Sequence, residues 1–333
     1  MESFSRLRIG LIGCGAFGES HLAAFAAIPH ARITAVTDVA PDRARSAAER
    51  HGIPHVVRDF HELVAMPDID AVSVVTTEDQ HLQPVLAALE HGKHVFVEKP
   101  MAMSVEDAQQ MVDAAGKRGL ILMPGHLLRF EPKYATVKAQ LTAGRLGRIL
   151  SMYTRRNRPK WQGRIYKRTP LVLETAIHDI DTMLWYVGAK VASVWGWQVS
   201  AEAGTQADLF CGVLRFEGGA VGMLQTSWIL PDKTPFLDDS MQVMTTSGVA
   251  NIDVLHSGLT LWTEDGAEGP DVSYEPRLFN AVYGALREEL AYFALCCLEN
   301  RQPTILTAAD GLEAVRVSLA LVQAAAEGRE IRL

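Results

Sequence analysis

Through the first 124 residues, short apolar runs alternate with stretches whose apolar positions recur every three or four residues. The short runs read as buried parallel strands, and the periodic stretches read as helices packed on them. A strand opens residues 8–18 and runs into Gly13, and a helix with His21, Leu22, Phe25 and Ile28 follows before Pro29. Ile33 to Thr37 is the second strand, ending in Asp38, and Asp42 to Arg50 is a helix ended by Gly52. Val56-Val57 and a helix from Phe60 to Met66 come next, then the strand Ala71 to Val75 with Thr76-Thr77 at its end. The pattern predicts a helix over His81–Glu90, capped by Asp79 and stopped by Gly92. His94 to Val97 is a strand that runs into Glu98-Lys99-Pro100. Ser104 starts a helix with Ala108, Met111, Val112 and Ala115 on one face, and Leu120 to Met123 closes the series. Such alternation means a doubly wound parallel sheet, a Rossmann-type dinucleotide-binding domain over 1–124.

From Gly147 the period changes. Alternating or aromatic runs dominate: Ile149–Arg155, Val191–Ser200, Leu209–Phe216, Ala220–Ile229, Met241–Thr246 and Gly258–Trp262, with Glu217-Gly218-Gly219 as a hairpin connection. Before them Pro132 to Ala143 reads as a helix, and two helices close the chain, one with Leu286, Leu290, Phe293 and Cys297, the other with Leu312, Val315, Leu319 and Val322. Strands without intervening helices make 125–333 an α+β domain with a large, mostly antiparallel open sheet. An open sheet must cover its second face, so this domain is expected to bind substrate and to pair with a second copy, as a homodimer or homotetramer.

Composition narrows the function. The 333 residues are 48% hydrophobic and 21% charged, ordinary for a folded enzyme of two domains. A net charge of -7 argues against a nucleic-acid partner, which needs a basic surface. Cys14, Cys211, Cys296 and Cys297 stand in no metal-ligand spacing, so no metal is expected and the thiols read as reduced and buried. With no signal-length apolar core at the start and no apolar run that spans a bilayer, the expectation is a cytoplasmic chain without a membrane partner.

Gly13-x-Gly15-x-x-Gly18 lies between a strand and a helix, where each glycine has a task. Gly13 permits a tight turn, Gly15 lets a pyrophosphate approach the backbone, and Gly18 lets helix and strand pack closely. Ala16 and Phe17 complete the loop at the helix N-terminus, whose free N–H groups attract phosphate. Asp38, twenty residues beyond Gly18, is placed to accept hydrogen bonds from the adenosine ribose and repel a 2′-phosphate. The neighbouring Val39 offers a phosphate nothing. NAD is therefore favoured, although one acid can turn away and admit NADP. Thr76, Thr77, His81, Glu98 and Lys99 fall at the carboxyl edge of the sheet, where ligands bind. By itself Lys99 reads equally as catalytic or as the partner of Glu98, and His81 reads as a cofactor contact, a capping residue or a surface residue.

In the second domain Glu174 and His178 stand four apart at a helix start, hence on one face. A carboxylate beside an imidazole suits a general base, and Asp181 could orient the ring from its other side. Acids at a helix start are favoured in any case, so a solvated acidic stripe reads as well. Pro132 to Leu173 holds no acid, while Arg155, Arg156, Arg158, Lys160, Arg164, Lys167 and Arg168 crowd what reads as one loop. That loop could hold a phosphate or carboxylate on the substrate, or could be a solvated or subunit-contact loop, with Trp161 and Tyr166 able to stack on a sugar.

These motifs together resemble the Gfo/Idh/MocA oxidoreductase family (glucose–fructose oxidoreductase, inositol dehydrogenase and their relatives) over essentially the whole chain. The carriers are Gly13-x-Gly15-x-x-Gly18, Glu98-Lys99-Pro100, Gly125-His126 with Arg129-Phe130, and His178-Asp179-Ile180-Asp181. The resemblance implies an NAD-dependent dehydrogenase acting on a secondary alcohol of a sugar or cyclitol. In the family's inositol dehydrogenases a lysine, an aspartate and a histidine line the reacting carbon, roles that fall here to Lys99, Glu174 and His178. His178 would take the hydroxyl proton, and Lys99 would stabilise charge on the reacting oxygen. Three departures stand out: Glu174 where aspartate is frequent, Thr76-Thr77 where Thr-Pro is usual, and Leu171-Val172-Leu173 where many relatives have a Gly-Gly turn. The candidate substrate contacts are His126, Arg155, Arg156, Trp161, Asp179 and Tyr283. The arginines also suggest a nucleotide-activated or acidic sugar, and a non-catalytic, cofactor-binding regulator is the alternative of another class. Retention of both Lys99 and His178 favours an enzyme.

Overall fold

The computed structural model describes residues 6–201, 207–234, 238–254, 259, 261–263, 266–269, 271–278 and 281–333. The chain divides into two compact units that are not consecutive blocks. One comprises Met1–Phe130 with Tyr274–Leu312, and the other Glu131–Ser273 with Glu313–Leu333. The sequence pattern drew a single division at 124/125. The difference lies in the apolar helix 284–298, whose Leu286, Leu290 and Phe293 join the core built by Leu7, Ile9, Phe25 and Phe96.

In the first unit the elements run β1 (Leu7–Ile12), α1 (Ala16–Ala26), β2 (Ala31–Thr37), α2 (Pro41–His51), β3 (His55–Val56), α3 (Phe60–Ala65), β4 (Ala71–Val74), α4 (Leu82–Glu90), β5 (His94–Val97), α5 (Val105–Arg118) and β6 (Leu122–Pro124). The six strands form one parallel sheet in the order β3-β2-β1-β4-β5-β6. This is the doubly wound arrangement, with its switch of direction beside β1. Local chemistry explains the boundaries. α2 opens on Pro41 and ends at Gly52 in the left-handed region (φ 63°). α5 is capped by Ser104, whose hydroxyl accepts from the Asp107 N–H at 3.0 Å, a contact contributing about 1 kcal/mol. Acids in the first turn of α5 and Lys117 and Arg118 in its last complement the helix dipole. The Leu120 N–H closes that helix on the Ala115 carbonyl, which is why β6 starts at Leu122 and not at Leu120. Asp79 does not cap α4: it lies in a single 3-10 turn, Glu78–Gln80, and His81 is the residue before the helix.

The second unit contains α6 (Pro132–Thr142), β7 (Ile149–Pro159), α7 (Lys160–Ile165), a π-helical turn (Val172–Ala176) continuing into α8 (Ile177–Val187), and then β8 (Val191–Val199), β9 (Leu209–Phe216), β10 (Val221–Leu230), β11 (Asp238–Thr245) and β12 (Val249–Asp253). Two short pairs follow, β13 (Leu261–Thr263) with β14 (Gly266–Glu268) and β15 (Arg277–Leu278) with β16 (Ala281–Val282), the latter in the first unit. Gly258, where the sequence pattern starts its last strand, lies outside the described residues. α9 (Gly284–Leu298), α10 (Ala308–Glu327) and β17 (Ile331–Arg332) end the chain. The large sheet has the order β12-β11-β7-β10-β9-β8-β17, antiparallel except where β7 and β10 run parallel.

Period-two alternation divides that sheet. On β9, Phe210, Gly212, Leu214 and Phe216 are buried while their neighbours are not. The buried face is covered by α8 and α10: a Cβ on Gly222 would meet Met183 Sδ at 2.6 Å, and one on Gly212 would meet Leu321 Cδ2 at 3.0 Å. On α10 the buried stripe is Ala314, Val315, Val317, Ser318, Leu321 and Ala324, whereas Leu312, Leu319 and Val322 of the predicted stripe are half-buried. Small residues face the sheet because the helix lies close to it. Among the described residues no helix is long and apolar enough to cross a membrane, and no group of three or more His, Cys, Asp or Glu is placed to hold a metal ion.

Candidate functional site

At the end of β1, Gly13 has φ 100°, and an added Cβ would lie 2.4 Å from the Val75 carbonyl oxygen. Gly18 is equally constrained, since its Cβ would meet the Gly13 carbonyl oxygen at 2.2 Å. Gly15, by contrast, has open space where a side chain would stand, and it precedes the first turn of α1. Two glycines are thus demanded by packing, and the third leaves a clear approach to free helix N–H groups. Ala16 is exposed and Phe17 half-buried on that turn. A pyrophosphate fits this arrangement.

Asp38 follows β2 and is 8% exposed. Its Oδ2 accepts from the Cys14 N–H at 2.7 Å and its Oδ1 from the Ala40 N–H at 2.8 Å, so the carboxylate also braces the glycine loop. The Arg43 guanidinium lies 3.3 Å from both oxygens, a partner the sequence pattern did not reveal. Val39 is 99% exposed and stands clear of the fold. Burial pushes the Cys14 thiol up to about 12, with Asp38 adding to the shift, so this sulfur stays protonated.

At the carboxyl edge, Thr76 is half-buried and Thr77 exposed. His81 is 1% exposed and is no surface residue: its Nδ1 lies 3.0 Å from the Pro100 carbonyl oxygen and its Nε2 3.3 Å from that of Thr76. It ties the end of β4 to the end of β5. Burial holds its ring below the ordinary histidine range, against the opposing pull of the Pro100 carbonyl. Glu98 is buried, bonded to His21 and to the Lys99 N–H, and Lys99 is half-buried ahead of a cis peptide to Pro100. His126, beyond β6, is 1% exposed, and Tyr283, half-buried before α9, carries the Arg287 guanidinium over its ring at 5.4 Å.

In the second unit, residues 171–183 are buried with two exceptions, Glu174 and His178. Asp181, three residues beyond His178, is 0% exposed. Glu174 sits in the π-helical turn where the sequence pattern predicts regular α-helix. Such turns are rare and frequent at functional sites, and nothing in the four-residue spacing distinguishes one.

The basic stretch is only partly a loop. Residues 155–159 belong to β7, and its side chains alternate between the faces of the sheet. Arg156 faces α8, is 2% exposed, and pairs with Asp179 and with Asp239 at 2.6 Å. Arg155 points to the opposite face and pairs with Asp238 at 2.8 Å. It therefore stands across the sheet from the helix of Glu174 and His178. Arg158 pairs with Asp239, and Arg164 with Asp232 at 2.8 Å. Trp161 is 40% exposed on α7, its backbone N–H donating to Asp232 Oδ1 at 2.9 Å. Apart from Asp179, 23 positions beyond Arg156, the aspartates that neutralise these arginines lie some seventy or eighty positions further along the chain, too far for sequence spacing to show.

Comparison with known proteins agrees with the geometry. Residues 7–126 match the oxidoreductase family with an NAD-binding Rossmann fold, and residues 134–251 match the GFO/IDH/MocA C-terminal domain. The chain belongs to the Gfo/Idh/MocA oxidoreductase family. Its amino-terminal part is accordingly an NAD-binding Rossmann domain. Among its relatives are a myo-inositol 2-dehydrogenase of Thermotoga maritima, 29% identical over 98% of both chains, and a scyllo-inositol 2-dehydrogenase (NAD(+)) of Bacillus subtilis, 27% identical over 98% of this chain and 96% of the other. The apo scyllo-inositol dehydrogenase from Lactobacillus casei superimposes with a TM-score of 0.86 over 99% of both chains at 25% identity.

Proposed function

We propose that this member of the family is an NAD-dependent dehydrogenase of a secondary alcohol on a sugar or cyclitol, inositol-like in class. The observation that carries the reading is that Glu174 and His178 alone are half-buried along an otherwise fully buried stretch, 171–183. A buried helix that leaves one carboxylate and one imidazole partly accessible suits proton transfer. His178 takes the hydroxyl proton, and Glu174 orients the ring. Lys99 donates a hydrogen bond to the oxygen that loses the proton and stabilises charge developing there. The bound nicotinamide supplies the acceptor for the hydride leaving the carbinol carbon. Asp38 accepts from the adenosine ribose, favouring NAD over NADP. The names of the inositol-dehydrogenating relatives support a cyclitol.

His126, Trp161 and Tyr283 remain substrate contacts in this proposal. Arg156 and Asp179 are committed to each other. Because Arg155, Arg156, Arg158 and Arg164 each meet an aspartate, the feature that suggested an anionic sugar is otherwise explained.

The experiment follows nicotinamide absorbance with NAD and NADP over free cyclitols, aldoses, glycosides and nucleotide sugars. Turnover on a free cyclitol or sugar supports the reading. Turnover confined to nucleotide or acidic sugars overturns the substrate class, and tight NAD binding without any turnover points to a regulator.

The sheet face away from α8 and α10 exposes Tyr153, Trp195, Trp197, Val199, Met223 and Met244. Tyr153 and Met223, Met223 and Val213, and Val213 and Trp195 are cross-strand neighbours, so the apolar positions are contiguous. A second copy of the chain is the proposed cover, since contiguous exposed apolar surface marks an interface.

A further inference from the structure

His21 lies on α1, one turn beyond the glycine loop, and is 0% exposed. Its Nε2 is 3.0 Å from Glu98 Oε1 and its Nδ1 is 3.2 Å from Ser73 Oγ. The other Glu98 oxygen, Oε2, accepts from the Lys99 backbone N–H at 3.1 Å. Phe17 and Phe96 meet the imidazole edge-on, with centroids 5.2 and 5.6 Å away, which locks the ring plane. Gly125 leaves the space for the carboxylate, because a Cβ there would lie 2.7 Å from Glu98 Oε1.

A serine, a histidine and a carboxylate in line is the arrangement of a nucleophilic triad. Here it cannot serve that purpose, because Ser73 and His21 are both 0% exposed and Ser73 stands within the paired strand β4. The hydrogen-bond directions instead assign a holding role. An ionised carboxylate only accepts, so Nε2 carries the proton and donates to Glu98. In the neutral ring Nδ1 must then accept from the Ser73 hydroxyl, which fixes the tautomer. The carboxylate so held fixes in turn the backbone amide of Lys99.

We infer that His21 is a positioning residue for Lys99, acting through Glu98 and oriented by Ser73, without touching substrate. The same contact couples the lysine to α1, the helix that begins at the glycine loop. The inference rests on the proposed role of Lys99. Its geometry does not: the His21–Glu98–Lys99 linkage lies within one unit.

The test compares His21→Phe, His21→Gln and Ser73→Ala with the unaltered enzyme, measuring kcat, KM and NAD affinity, each variant also on a Lys99→Ala background. A misplaced catalytic group loses on the order of tenfold to a hundredfold in rate. The expected result is a fall of about that size in kcat for His21→Phe, with NAD affinity within about threefold and most of the loss restored by Gln, whose amide can donate to Glu98. On the Lys99→Ala background the same change should have no further effect, since its action passes through the lysine. Turnover within about twofold of the unaltered enzyme, a parallel loss of NAD affinity, or an equal loss in both backgrounds overturns the inference. If His21→Phe does not fold, Ser73→Ala decides: a fall in kcat with NAD affinity kept supports the inference, and an unchanged kcat overturns it. Full turnover of Lys99→Ala alone would instead overturn the catalytic reading of the lysine.

Discussion

Arg156 grips Asp179 with two parallel hydrogen bonds, Nε to Oδ2 at 2.9 Å and Nη2 to Oδ1 at 3.0 Å, and both side chains are 2% exposed. The remaining guanidinium nitrogen reaches Asp239, so a strand and a helix are joined through one cation. Burial pushes the Asp179 carboxyl up, and Arg156 pulls it down. Because Asp179 follows His178 directly, this pair anchors the helix that carries the proposed base.

Removing the cation would leave the buried Asp179 carboxylate without its partner and Asp239 with Arg158 alone. Arg156→Met is expected to destabilise the chain by about 3–5 kcal/mol, the usual consequence of breaking a buried pair from one side. Urea unfolding with a loss below about 1 kcal/mol would show that the network contributes little.

Lys99→Ala is expected to lower turnover by a factor on the order of a hundred to a thousand, leaving a residual rate, while NAD binding stays near normal, because the lysine is assigned to the reacting oxygen and not to cofactor affinity. Calorimetric titration with NAD alongside the rate measurement checks this; loss of both together would remove the catalytic assignment. For His178→Ala, full turnover retained across the pH range would remove it as the base.

Asp38→Ser should shift preference toward NADP and release Arg43, which then stands ready for a 2′-phosphate. A charge-assisted hydrogen bond contributes about 1.5–3 kcal/mol, so the NADP/NAD ratio should rise about tenfold or more and fall back in Asp38→Ser/Arg43→Ala. An unchanged ratio in Asp38→Ser would refute the ribose assignment.

Stability should fall on mild acidification. Burial holds His81 and His94 below the ordinary histidine range, and the Nδ1 of His94 accepts the Ile121 N–H at 3.0 Å, which requires an unprotonated nitrogen. Below about pH 6.5 the unfolded chain binds protons that the folded chain does not. Their contribution is therefore complete above that pH and is lost as pH drops toward the folded values. Thermal midpoints at pH 7.5 and 5.5 check the sign, and His94→Asn, which keeps an acceptor for Ile121, should flatten the dependence.

Trp195 and Trp197 stack on the exposed sheet face with centroids 5.6 Å apart. Trp197→Lys should shift the chain toward monomer in light scattering if a second copy covers this face. An unaltered mass would place the interface elsewhere.

Much of this was legible in order along the chain. Glycine spacing, the apolar runs ending at Asp38 and Glu98, and the switch to alternation after Gly147 express local rules of turn, strand and helix, and the observed sheets follow them. The cap at Ser104 and the hairpin after Phe216 are equally local. Misreadings arose where the deciding partner was remote. Arg155 and Arg156 read as one basic loop, yet one added residue turns a side chain to the other face of a sheet, and their aspartates come from β11 and α8. His21 read as one apolar position among several, since Ser73 and Glu98 meet it only through the parallel sheet.

The sequence by itself determined the element order, the dinucleotide-binding loop and the spacing of Glu174 and His178, because those depend on neighbours within a few residues. Tertiary structure alone decided which charges are spent on one another, which face of the large sheet stays exposed, and which residue holds Glu98. Hydrogen bonds and ion pairs act over a few ångströms in space, and distance along the chain does not report that separation.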